Sequence, residues 1–398
     1  MSIASIPTSE LDPFSDAALV QPWDIYRQLR DAGPVVHLPQ YGLTAVTRYQ
    51  DVHDVLADWE TYSSLFVGLN PVFNAMAGEN VETNVLMASP PAHTRLRSVL
   101  GEDLAPRGLH EKLESFVVER AEATADDLVA RGQFDAVGDL ARPYVMGIIY
   151  DLNGLPESGR DRFFGWASAL FDALGPPNAR MQNGLQTAGE MFHWLGTEAT
   201  RDQIVPGSWA QSIYDAVERG DIPGATAHEL LSTYIAPALD TTIHSIGWAV
   251  QLFADHPDQW DEIRADHSLI PGAYREILRI QPPVHHFGRR VERDVEIQGV
   301  PVAEGTHLMV SFASANRDER QWADPDRFDI HRSNMRQLAF GYGIHSCVGQ
   351  GLAKLEGQSI LEALAKRVER FDVGTSTPFL NNLVHGLDSL PVTVVPAL

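Results

Sequence analysis

One cysteine occurs in 398 residues, and it stands inside the run Phe340-Gly341-Tyr342-Gly343-Ile344-His345-Ser346-Cys347-Val348-Gly349. Cys347 has no partner for an internal disulfide, and neither further thiolates nor clustered histidines flank it at the spacing a zinc site needs. Glycines crowd it (Gly341, Gly343, Gly349, Gly351), and a helical pattern follows in which Leu352, Leu355, Leu361, Leu364 and Val368 recur at near-helical spacing. Glycine lets a backbone curl close around a bound group and aim its amides at the sulfur. A position at a helix N-terminus favours the thiolate over the thiol. Such a thiolate suits a ligand on iron; the plainer alternative is a small buried hydrophobe at a helix start.

The chain has the material to enclose such a group. Hydrophobic residues make up 44% and are spread evenly, without repeats, low-complexity runs or a recognisable linker, so the expectation is one large domain over residues 1–398. A net charge of −23 opposes binding to nucleic acid, whose phosphates it would repel. No stretch approaches the ~20 apolar residues that cross a bilayer. Met1 to Pro22 lacks the basic start and apolar run of a signal peptide, and the free thiol fits a reducing compartment, so a cytoplasmic protein with no membrane partner is expected.

The order Phe340, Gly343, His345, Cys347, Gly349 resembles the haem-binding loop of cytochrome P450 monooxygenases, and further stretches in the right order extend the resemblance over nearly the whole chain. It implies a mainly α fold with a small β lobe, built as a single domain around one haem b with Cys347 on the iron. Two haem propionates then need cations despite the acidic chain. His93 and Arg97 lie one helical turn apart behind Ser89-Pro90-Pro91, and the matching of motifs adds Arg289 and His345.

Asp240-Thr241 in the long apolar pattern Thr226 to Phe253 is similar to the family's oxygen-activating groove, in which Thr241 would supply a hydrogen bond and Asp240 would relay protons. Pro237 and Ala238 stand where the family usually has a small residue and a glycine. Pro237 inside a helix should kink it and free the carbonyl of Thr233. Thr226 and Glu229 have the spacing of a capping box at its start. Glu276 and Arg279, one turn apart before Gln281-Pro282-Pro283, resemble the family's internal structural ion pair.

The stretch Phe171 to Asn178, with Gly175-Pro176-Pro177-Asn178, resembles the roof of the bacterial subgroup that O-demethylates para-methoxybenzoates. On that matching Phe171, Leu174, Ala238, Val284 and Phe287 face substrate, while His285 and His286 fit a surface or strand-edge role. Leu65 to Met87 reads as a poorly periodic loop covering the substrate, and Val81 to Met87 holds no Lys or Arg. An unpaired buried carboxylate would cost several kcal/mol. The expectation is therefore O-demethylation of a neutral methoxyphenol or alkylguaiacol, with release of formaldehyde. Hydroxylation of an aliphatic or terpenoid, and a thiolate-haem sensor, are the alternatives. No dinucleotide fingerprint follows a strand, so electrons should come from a ferredoxin and its reductase, and Arg95, Arg107, Arg336 and Lys354 are candidate docking cations.

Overall fold

The computed structural model describes residues 6–78, 81–104 and 106–397, the side chains of 106–108 and 110–112 excepted. Its axis is the helix Ala236–Asp255, in which Leu239, Asp240, Thr242, Ile243, His244, Ser245 and Ile246 are buried and only Thr241 among them is half-buried. A helix buried on all sides lies within a core and not on its surface. The roof helix Phe163–Ala173, the helix Ile270–Ile280 and the cysteine helix Gln350–Ala365 pack against it. No helix among the described residues is long and apolar enough to cross a membrane.

Pro237 does not kink this helix. It lies in the first turn, where its missing N–H has no helical partner to lose. The apolar pattern is instead divided: a short helix, Thr226–Thr233, ends before it. The buried Asn153 donates Nδ2 to the Tyr234 carbonyl at the break, 3.0 Å away. Nor does the capping box form. Thr226 is already helical and its buried hydroxyl has no partner, while Glu229 accepts a bond from Asn84 Nδ2 at 3.3 Å. The pattern showed helical periodicity but not where its hydrogen bonds stop.

The β lobe is a five-stranded sheet in the order Val35–Leu38, Leu43–Val46, His307–Ser311, His286–Val291, Tyr62–Ser63. The first pair is a hairpin, with Gly42 at φ 64° in its turn. Along His286–Val291, Phe287 and Arg289 are two apart and share one face, as strand periodicity requires. His285 and His286 are buried, not at a surface. The Tyr26 hydroxyl bonds His285 Nδ1 at 2.7 Å and His286 Nε2 at 3.0 Å, pinning the strand to the helix Trp23–Ala32.

Leu65 to Met87 is more ordered than a loop. It holds a helix, Pro71–Gly78, and a turn at Val81–Thr83. Asn70 and Pro71 start that helix: the Asn70 side chain accepts from Phe73 N at 2.7 Å, and Pro71 opens the first turn. Asn70 also donates to the carbonyls of Ala173 and Gly175, tying the segment to the roof.

Candidate active site

A cavity open to solvent lies between the central helix, the roof and the Cys347 loop. Its lining brings together Cys347, His93, Arg97, Arg289, His345, Phe340, Gly349, Thr241, Phe171, Leu174, Ala238, Val284 and Phe287.

Backbone geometry builds the sulfur side. Cys347 N donates to the Phe340 carbonyl at 2.8 Å, closing the loop on itself. Gly343, at φ 71°, packs where any side chain would strike the Leu56 carbonyl, so only glycine lets the loop lie on the helix Tyr49–Ala57. The N–H groups of Gly349 and Gln350, with Arg97 and Lys354, favour the thiolate, but burial outweighs them and raises the Cys347 pKa above its usual value. The helix start alone therefore does not ionise the sulfur, as the sequence had suggested; binding a metal ion would.

At one end the four expected cationic groups converge. The rings of His93 and His345 meet at 4.5 Å between centroids. Burial first, then the Arg97 charge, pushes the His93 pKa down to about 4. Burial, Arg289, His93 and Arg97 push His345 down to about 2. Burial lowers Arg289 to about 10. Among the described residues no carboxylate pairs with Arg97 or Arg289, and His93 Nε2 is buried without a partner. Two guanidiniums without counter-charge, beside two neutral imidazoles that can each donate an N–H, fit a dianionic ligand, and two propionates are such a ligand. The residues present thus fit haem b: Cys347 for the iron, and His93, Arg97, Arg289 and His345 for the propionates.

The oxygen side is less open. Thr241 faces the cavity, but its Oγ1 donates to the Pro237 carbonyl at 2.9 Å, one turn back. Asp240 is fully buried and turns away, its Oδ2 lying 2.8 Å from Ser168 Oγ on the roof helix. Ser168 Oγ is also 3.1 Å from the Phe164 carbonyl. Ser168 Oγ donates to the Asp240 carboxyl, with the Phe164 carbonyl as the second acceptor in reach. Burial, opposed by the Ser168 bond and by Arg142, raises the Asp240 pKa to about 8, so the carboxyl holds a proton at neutral pH.

Glu276 and Arg279 form a fully buried two-armed pair, Nη2 to Oε1 at 2.7 Å and Nε to Oε2 at 2.8 Å. Arg279 Nη1 reaches the carbonyls of Asn316 and Pro325, each at 2.8 Å, so the pair anchors the segment leading to the cysteine loop. Sequence reasoning missed Val67, Leu86, Leu170, Thr242 and Glu356 in the cavity wall. Glu356 alone carried a signal, an acid in the apolar pattern that follows Cys347.

This arrangement, a cysteine loop under a cavity with cations gathered at one end, is that of a haem-thiolate oxygenase. A family profile described as Cytochrome P450 matches residues 224–378. A relative named Cytochrome p450 CYP199A2, from Rhodopseudomonas palustris, is 37% identical over 99% of this chain and 96% of its own length. The chain belongs to the cytochrome P450 family and is a haem monooxygenase. Linalool 8-monooxygenase from Pseudomonas putida is 30% identical over 94% of this chain and 96% of that protein. Among solved structures, cytochrome P450 CYP109Q5 from Chondromyces apiculatus superposes with a TM-score of 0.79 at 26% identity, covering 97% of this chain and 98% of that one.

Proposed function

We propose that the chain works as one haem domain, fed by a ferredoxin and its reductase, and O-demethylates a small neutral methoxyarene of the methoxyphenol or alkylguaiacol type. The observation that carries this reading is the division of the cavity. Among the described residues its lysines and arginines are Arg97 and Arg289, both beside His93 and His345, whereas the walls at Phe171, Leu174, Ala238, Val284 and Phe287 are apolar. A substrate carboxylate would find no free cation there, and a flat ring would find two phenyl groups.

Haem held by the Cys347 thiolate would supply cleavage of the O–O bond of dioxygen. Phe171 and Phe287 hold the ring, and Thr241 donates a hydrogen bond into the cavity once its hydroxyl leaves the Pro237 carbonyl. Asp240 holds a proton at its carboxyl and takes another from solvent after giving it up. In balance, dioxygen, two electrons and two protons convert the methoxy group to a hemiacetal and water; the hemiacetal then breaks its O–C bond to give phenol and formaldehyde.

Exposed Arg95 and Arg336, with the half-buried Lys354, support an acidic electron donor docking near Cys347; the Arg107 side chain lies outside the described residues. A second reading, hydroxylation of an aliphatic or terpenoid alcohol, is supported by the linalool-oxidising relative and by leucines at 170 and 174 in the wall. Soret titration of the ferric protein separates them. A para-alkyl methoxyphenol should shift the band to shorter wavelength and para-methoxybenzoate should not; a shift by the benzoate alone would sink the neutral-substrate reading, and one by linalool alone would favour the second.

A further inference from the structure

The cavity does not end beside Thr241. Its wall continues back along the central helix through Ala238, Pro237 and Ala236 to Tyr234, which lies in the break between the two helices. There it meets Trp209, the first residue of the helix Trp209–Glu218, which packs against Ala92–Leu104 and Thr226–Thr233. Beyond that indole is a second hollow, lined by Glu102, Asp103, Asp151, Val205 and Ser208. Among the described residues Trp209 alone stands in both walls.

The partition between the two spaces is one side chain thick and held by few bonds. The rings of Trp209 and Tyr234 lie 5.1 Å apart between centroids, tilted by 37°. The Tyr234 hydroxyl donates to Asp103 Oδ2 at 3.1 Å, and Ser212 Oγ donates to Oδ1 of the same carboxylate at 3.2 Å. Tyr234 thus lines the cavity while its hydroxyl is tied to a wall residue of the outer hollow. Its backbone belongs to neither helix, and its carbonyl is held by the Asn153 side chain. A closure made of one ring contact and one hydrogen bond is readily exchanged.

We propose that Trp209 and Tyr234 gate a second passage into the cavity, which admits dioxygen along the central helix to Thr241 while a substrate occupies the space beside Phe171 and Phe287. The chemistry of the walls selects the traveller. Ala236, Pro237 and Ala238 offer an apolar path suited to a small uncharged gas, and the carboxylates around the outer hollow repel an anion. A swing of one indole clears room for a diatomic molecule and not for a ring. The inference rests on the family's use of dioxygen and not on the aromatic reading.

The test reads ligand binding and needs no turnover. Carbon monoxide, a diatomic of similar size, is flashed off the ferrous haem-loaded protein, and its bimolecular rebinding rate is measured with and without a para-alkyl methoxyphenol, or with linalool where that compound shifts the Soret band instead. Trp209→Ala should raise the rate severalfold with the compound bound and leave the association rate of the compound itself unchanged. An unchanged carbon monoxide rate would overturn the proposal. So would a parallel rise in both rates, which would mean a loosened fold and no gate. Should Trp209→Ala fail to take up haem, Val205→Trp is the second variant, because Val205 is exposed on the outer hollow and a larger side chain there narrows the mouth without entering the core. It should slow carbon monoxide severalfold with the compound bound; a rate equal to that of the parent protein would overturn the passage.

Discussion

The two faces presented to the bound group are held by different means. On the sulfur side, position is set by backbone: the Cys347 amide on the Phe340 carbonyl, and Gly343 against Leu56. On the oxygen side, position is set by side chains that are already engaged, Thr241 with Pro237 and Asp240 with Ser168. A backbone loop offers one geometry and cannot be outbid by a rotamer change. Side-chain bonds of about 1 kcal/mol net can be exchanged during turnover. The cysteine is therefore fixed in place, and Thr241 and Asp240 are free to exchange partners.

The largest effect should come from breaking the fixed side. Cys347→Ser removes the thiolate, and oxygenation should fall by more than about a thousandfold, beyond the reach of a single acid group. The characteristic red-shifted Soret band of the reduced carbon monoxide complex should vanish with it; its persistence would mean that another residue holds the iron.

Asp240→Asn sharpens the comparison, since it should slow product formation by about a hundredfold, within the usual range for one general acid, while making the fold more stable at neutral pH. The sign follows from the carboxyl's folded pKa of about 8 against its ordinary 3.8 in the unfolded chain. Below about 3.8 both states keep the proton and the residue costs nothing. As pH rises the unfolded chain ionises and the fold does not, so the cost grows until about 8, reaching a few kcal/mol. Chemical denaturation of the two proteins should show no stability gap near pH 4 and a widening one up to pH 8; a constant gap would mean that Asp240 is ionised in the fold.

The smallest effect concerns the histidines behind the pocket strand and the central helix. His244, His286 and His385 are buried and lowered to about 3, 3 and 4, chiefly by loss of solvent. For a folded pKa below the unfolded value of 6.5, the contribution is complete above 6.5 and is lost as pH falls beneath it. The melting temperature should decline between pH 6.5 and 4, and His286→Phe should flatten that decline modestly.

The sulfur side was legible because its geometry needs particular residues at particular places. Glycine at 343 is forced by a carbonyl, and cysteine at 347 by the metal it would bind. The Glu276 and Arg279 pair was legible for the same reason, two long side chains one turn apart. The oxygen side was only half legible. Asp240 and Thr241 could be named, but Ser168 is 72 residues from Asp240 in sequence and leaves no local pattern. Pro237 was misread because a proline in a first turn and one in a helix interior look alike until the break before it is known. His285 and His286 were misplaced because their partner, Tyr26, lies some 260 residues away.

That tyrosine has a practical consequence. The described wall of the cavity contains nothing earlier than Leu56, yet the strand carrying Phe287 is bolted from behind to Tyr26, and the Arg317 guanidinium lies 3.5 Å over the Trp23 ring. The opening helix is scaffolding for a surface it never touches. Removing the helix Trp23–Ala32, as one might to aid crystallisation, would redraw the shape a substrate meets.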